Sequence, residues 1–289
     1  MFKGVYPAII TPFKNNEIDY NGLEENINFL IENGVSGIVA VGTTGESPTL
    51  SYEEHKKVIE KVVDIVNGRV QVIAGAGSNC TREAVELSVF AEDVGADAVL
   101  SITPYYNKPT QEGLRRHFSK ISESINIPII LYNVPSRTSV NLEPKTVKML
   151  AEEYSNISAV KEANPNLSQV SELIYDAKVT VLSGNDELTL PIIALGGKGV
   201  ISVVANIIPK EFVEMVDSAL KGDFEKAREI HYKLFPLMKA MFIEANPIPV
   251  KTALNMIGRP AGELRLPLCE MSEEHKKILE NVLRDLGLI

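Results

Sequence analysis

The chain has 289 residues, 45% hydrophobic and 23% charged, an ordinary globular balance that excludes a wholly disordered protein. With 29 Lys and Arg against 38 Asp and Glu the net charge is −9, so nothing draws the chain as a whole to nucleic acid or to an anionic membrane. No apolar run reaches the ~18 residues of a spanning helix.

Taken in order, short β-rich runs alternate with amphipathic segments. A strand is predicted over 5–11, then a helix over 20–32 with Leu23, Ile27, Leu30 and Ile31 on one face. Strand 37–42 precedes helix 52–66, whose Val58, Ile59, Val62, Val63 and Val66 repeat that pattern. Strands 70–75, 98–103, 127–133, 157–163, 179–184 and 199–206 follow. Between them lie helices 82–94, 111–124, 143–153, 167–175 and 186–195. Gly34, Gly68, Gly95 and Gly196 stand where helices should stop. Beyond 209 only helices are expected, over 210–220, 223–240, 249–257 and 272–286.

Most of these strands are continuous apolar runs, the pattern of strands buried on both faces in a parallel sheet. Eight β-then-α units imply a (β/α)8 barrel with a C-terminal helical extension, divided here as residues 1–222 and 223–289. A doubly wound open sheet is the alternative. The count of eight and the lack of GxGxxG after the first strand weigh against it. Cys80 and Cys269 form no disulfide framework, and residues 1–7 lack a secretion signal, so a cytoplasmic location is expected. His55, His117, His231 and His275 stand far apart, so a metal site has little support.

The reactive face of such a barrel lies at the carboxyl ends of its strands. Lys161 sits there inside an apolar strand, where an amine must be paired or neutral, and a neutral amine is the nucleophile for a Schiff base. The plainer reading is a structural lysine paired with a carboxylate, although Glu162 points to the opposite face. Gly42-Thr43-Thr44-Gly45 offers hydroxyls and free N–H groups that suit a small carboxylate, or is an ordinary turn. Tyr132 could relay a proton, or merely pack. Tyr105 and Tyr106 could serve packing or an interface, and Arg137 could grip a carboxylate or be a solvated surface residue. Their convergence on one mouth carries the argument.

Gly42 to Ser47, the run Tyr132-Asn133-Val134-Pro135-Ser136-Arg137-Thr138, Lys161-Glu162-Ala163 and Asn246-Pro247-Ile248-Pro249-Val250-Lys251 resemble the dihydrodipicolinate synthase family. The likeness runs from about residue 2 to 289. The wider group of Schiff-base barrels includes N-acetylneuraminate lyase and keto-sugar-acid aldolases. The resemblance implies condensation of pyruvate with L-aspartate 4-semialdehyde through an imine on Lys161, with no metal or organic cofactor, giving 4-hydroxy-tetrahydrodipicolinate for lysine and diaminopimelate synthesis. It implies a proton relay of Thr43, Tyr132 and Tyr106, the last donated by a neighbouring subunit of a homotetramer, a dimer of dimers. Thr43 and Thr44 would hold the pyruvate carboxylate, Gly184 and Ile201 would line its pocket through their backbones, and Arg137 would receive the semialdehyde carboxylate. Lysine as feedback inhibitor would meet Ser47, Pro48, His55, Asn79, Glu83 and Tyr105. Tyr52 replaces a second histidine of some sensitive relatives, and Pro48 a small residue. The alternatives are a keto-sugar-acid lyase using the same imine, opposed by Arg137, and a non-catalytic barrel binding pyruvate or an amino acid, opposed by Lys161 with Tyr132.

Overall fold

In the computed structural model, residues 2–289 are described; Met1, where the reading of the chain's start begins, lies outside the described residues. The strands are β1 (Gly4–Pro7), β2 (Phe13–Lys14), β3 (Glu17–Ile18), β4 (Gly37–Ala40), β5 (Gln71–Gly75), β6 (Ala98–Ile102), β7 (Ile129–Asn133), β8 (Ile157–Glu162), β9 (Thr180–Ser183) and β10 (Gly199–Ser202). The helices are α1 (Tyr20–Glu32), α2 (Tyr52–Val66), α3 (Thr81–Asp93), α4 (Gln111–Ser122), α5 (Pro135–Thr138), α6 (Pro144–Glu153), α7 (Leu167–Glu172), α8 (Thr189–Ala194), α9 (Pro209–Leu220), α10 (Phe224–Ala240), α11 (Ile248–Met256) and α12 (Glu273–Asp285).

Eight strands form one parallel sheet in the order β1-β10-β9-β8-β7-β6-β5-β4. Its ends meet where Ala8 bridges Val39 and the Ile9 N–H donates to the Val39 carbonyl at 3.0 Å, closing a (β/α)8 barrel. All eight strands predicted from sequence are present. The β2–β3 hairpin went unpredicted, because two-residue strands leave no periodicity to read, and so did the one-turn helix α5.

Local chemistry starts and stops the helices. The Asp19 carboxylate accepts from the Gly22 N–H to open α1, and Ser51 with Glu54 forms a capping box on α2. Gly34 and Gly95, at φ +82° and +91°, end α1 and α3 in a conformation open to glycine at little cost.

Three apolar clusters make the core. Tyr6, Val39, Ile73, Leu100, Ile130, Tyr132, Ala159 and Leu182 fill the barrel. Ile38, Val99, Ile129, Leu131 and Val160 face the helices. Alternation along the strands produces this division, and it sends Lys161 inward with Ala159 and Glu162 outward with Val160. A third cluster joins β1 and β10 to α9, α10, α11 and α12. The C-terminal helices are thereby seated against the seam between the first and last barrel strands.

Candidate active site

Lys161 is 7% exposed, and its Nζ lies 4.0 Å from the centroid of the Tyr132 ring. No carboxylate pairs with it among the described residues. Its neighbour Glu162 points away and is engaged by Asn133, Gln169 and the Asn164 N–H. The paired structural lysine considered from sequence therefore does not occur with Glu162.

Lys161 opens into a cavity of about 680 Å³ that also takes in Thr43, Thr44, Tyr132, Arg137 and Gly184. Met238 of α10, with Phe242 and Asn246 of the connection to α11, supplies part of the wall. Gly184 is required by space: a Cβ there would lie 2.7 Å from the Ala163 Cβ and 3.1 Å from the Glu162 carbonyl oxygen. Ile201 is buried inside the barrel and is not among the residues lining the cavity, where Val203 stands instead.

The Thr43–Thr44 turn is held under strain. Val41, β-branched, has φ +51°, and Glu46 has φ +55°. The turn is fastened from outside: Thr11 Oγ1 donates to the Gly45 carbonyl at 2.7 Å, and Asn246 Nδ2 donates to Thr44 Oγ1 at 3.0 Å. The Thr43 and Thr44 N–H groups make no backbone hydrogen bond among the described residues. Beneath the turn, Lys251 on α11 donates to Glu46 Oε1 at 2.7 Å, to the Thr11 carbonyl and to the Glu263 carbonyl. Both side chains of this ion pair are essentially inaccessible. Burial pushes the Lys251 ammonium below its usual value, and Glu46 pulls it back up.

The sequence reading missed this pair, because Glu46 and Lys251 are 205 positions apart. It also gave Asp186 no role. That carboxylate is buried, accepts the N–H groups of Val203 at 3.1 Å and Val204 at 2.9 Å, and so fixes the cavity wall after β10. Burial raises the Asp186 carboxyl above its usual value, against the pull of Ser202, these N–H groups and the Lys161 charge.

Arg137, at the mouth, donates to the Asn246 carbonyl at 3.2 Å. Tyr106 is 89% exposed, adopts φ +71° and does not line its own chain's cavity. A second cavity of about 350 Å³ brings together Ser47, Pro48, Tyr52, His55, Glu83 and Tyr105, and shares Thr43, Tyr132 and Arg137 with the first. His55 Nε2 donates to the Gly75 carbonyl at 2.7 Å, and burial lowers its proton affinity. Glu83 accepts from Ser78 Oγ. Asn79 stands outside the lining and donates to the Tyr105 carbonyl. The Tyr52 hydroxyl donates to Glu86, and burial with that carboxylate pushes the phenol up to about 12.

A closed (β/α)8 barrel, with a lone amine beside a phenol and a threonine-bearing turn at its mouth, has the form of a lyase-type barrel enzyme. The chain belongs to the dihydrodipicolinate synthetase family, whose model matches residues 1–286. It is 91% identical over 289 residues, all of both chains, to the 4-hydroxy-tetrahydrodipicolinate synthase of Methanocaldococcus jannaschii. Among solved structures it resembles the chloride-inhibited dihydrodipicolinate synthase of Acinetobacter baumannii complexed with pyruvate, at TM-score 0.97 and 44% identity over 100% of both chains. It also resembles the enzyme of Cyanidioschyzon merolae with lysine bound, at TM-score 0.97 and 40% identity over 100% of this chain and 99% of that one. No helix of the described residues is long and apolar enough to cross a membrane.

Proposed function

We propose that the chain condenses pyruvate with L-aspartate 4-semialdehyde through an imine on Lys161, giving 4-hydroxy-tetrahydrodipicolinate. The observation that carries this reading is the unpaired Lys161 amine lying 4.0 Å from the Tyr132 ring centroid in the mouth cavity. Nζ attacks the pyruvate carbonyl carbon, and the carbonyl oxygen leaves as water. The cationic imine is an electron sink that lets the methyl group lose a proton. The enamine carbon so formed attacks the aldehyde, whose oxygen takes up a proton to become the product hydroxyl. The substrate amine then adds to the imine carbon and displaces Lys161, which closes the ring.

In this reading Thr43 and Thr44 hold the pyruvate carboxylate on the strained turn. Tyr132 and Thr43 pass protons, and Gly184 leaves room at the reacting carbon. Arg137 is exposed enough at the mouth to meet a second carboxylate in bidentate fashion. Residues 1–222 are the catalytic barrel, and the extension 223–289 buttresses the turn through Asn246 and Lys251. Borohydride added with pyruvate should fix a mass increase on the peptide containing Lys161. Labelling elsewhere, or none, would end the imine reading.

The exposed Tyr106 suits donation into the relay of a neighbouring copy, so the working enzyme is read as a homo-oligomer, a tetramer built as a dimer of dimers. A single-chain species with full activity would refute this. Free Cys80 and Cys269 agree with a cytoplasmic enzyme. Lysine is read as a feedback ligand of the second cavity, its α-ammonium on Glu83 and its side chain toward His55. Tyr52 adds bulk there and is tied to Glu86, so the inhibition is weak. Calorimetry with lysine should give heat that Glu83→Ala abolishes, and heat unchanged by that substitution would move the site.

A further inference from the structure

Strands β7 and β8 run side by side, with Tyr132 opposite Lys161 and Asn133 opposite Glu162. The first pair faces the barrel interior and the second faces the helices. Outward positions just before the second pair are Leu131 and Val160, both apolar and fully buried. A carboxylate at the next such position has to be desolvated, and an apolar residue would pack there at less cost.

Glu162 is held from several sides. Asn133 Nδ2 donates to both of its oxygens, at 3.0 and 3.2 Å. Gln169 Nε2 donates at 2.9 Å and the Asn164 N–H at 2.7 Å. Asn141 Oδ1 collects further bonds from Asn133, Asn164 and Gln169. Asn133 Oδ1 in turn accepts the Leu142 N–H at 2.9 Å, which fixes the return of the segment that carries Arg137. The Thr43–Thr44 turn hangs from a different set, Thr11, Asn246 and the Glu46–Lys251 pair.

We propose that Glu162 is a positioning residue: through Asn133 it clamps the ends of β7 and β8 and so sets the separation of the Lys161 amine and the Tyr132 phenol. The inference rests on the imine reading. Because pyruvate's carboxylate is received by the separately anchored turn, loosening the clamp slows the proton transfers and leaves pyruvate binding in place. The segment carrying Arg137 loosens with it, so use of the semialdehyde suffers too.

Glu162→Gln tests this with almost no change of volume, because the amide turns an N–H group toward donors that in the native protein meet a carboxylate oxygen. Pyruvate-dependent trapping on Lys161 in the unaltered protein comes first, since its failure would refute the imine reading and leave the clamp aside. The expected result for folded Glu162→Gln is kcat lower by about 10-fold, the scale of a sub-ångström misplacement, with KM for pyruvate nearly unchanged and KM for the semialdehyde raised. Asn133→Asp combined with Glu162→Gln reverses donor and acceptor across the same pair and should recover most of kcat. Were Glu162→Gln unable to fold, Gln169→Met, which removes one donor from the carboxylate, should still lower kcat at constant pyruvate KM. Unchanged kcat in whichever of these single variants folds would overturn the proposal. So would a rise in pyruvate KM matching the loss of kcat, or a double variant no faster than Glu162→Gln.

Discussion

Lys251→Met removes the ammonium from the sealed ion pair beneath the Thr43–Thr44 turn. Three hydrogen bonds go with it, at 3.0, 2.7 and 2.6 Å, together with its position 4.4 Å above the Phe13 ring. Methionine fills nearly the same volume, so the main consequence is electrostatic: Glu46 becomes a carboxylate with no exposed surface and without its ion-pair partner. Breaking a buried pair on one side costs about 3–5 kcal/mol. That is a large share of a total near 5–15 kcal/mol. An unfolding entropy of about 2.1 cal/mol/K per residue gives about 0.6 kcal/mol/K for 289 residues, so Tm should fall by about 5–8 °C. Glu46→Gln combined with Lys251→Met leaves a neutral pair that can still accept the Arg265 N–H, and should regain at least half of the loss. Denaturant titrations at one fixed protein concentration compare the three proteins, since assembly adds its own stability. The turn should also loosen and raise KM for pyruvate. A single variant weakened by less than about 1 kcal/mol, or a double variant no more stable than the single, would refute the account of an uncompensated charge.

Tyr132→Phe should still form the pyruvate adduct, at kcat lower by about 10²-fold or more, the usual scale for a positioned proton-transfer group; unchanged turnover would leave Tyr132 a packing residue. Arg137→Ala should keep the pyruvate adduct and lose about 1.5–3 kcal/mol in kcat/KM for the semialdehyde, which steady-state kinetics would read directly. His117 is buried between α3 and α4, and burial alone lowers it to about 4. The unfolded chain takes up this proton near pH 6.5, so the contribution is fully present above that pH and is lost as pH falls toward 4, with a slope up to about 1.4 kcal/mol per unit. Denaturant titrations of His117→Gln between pH 4 and pH 7 should show a shallower acid limb, and an identical limb would show that other groups carry it.

The elements were legible because their signals are local. Continuous apolar runs marked β4 to β10, and stripes of period 3.6 marked α1 and α2, including the side of each that is buried. Alternation along β8 was enough to part Lys161 from Glu162. The residues at strand ends could be collected because a barrel gathers those ends at one mouth. Thr43, Thr44, Tyr132, Arg137, Lys161 and Gly184 do share a cavity. Asn79 falls outside the cavity linings, since facing a pocket depends on side-chain direction and on neighbours from other strands.

What the sequence by itself determined, then, is the order of strands and helices, the face each one buries and the chemistry offered at the strand ends. Each depends on residues within a turn or two of one another. Only the tertiary structure decided which distant polar groups complete the site. Glu46 meets Lys251 across 205 positions, Thr44 meets Asn246 across 202, and Asp186 catches the N–H groups of Val203 and Val204. A buried charge must find a partner wherever the closed barrel brings one within about 3 Å, and no periodicity in the chain records that meeting.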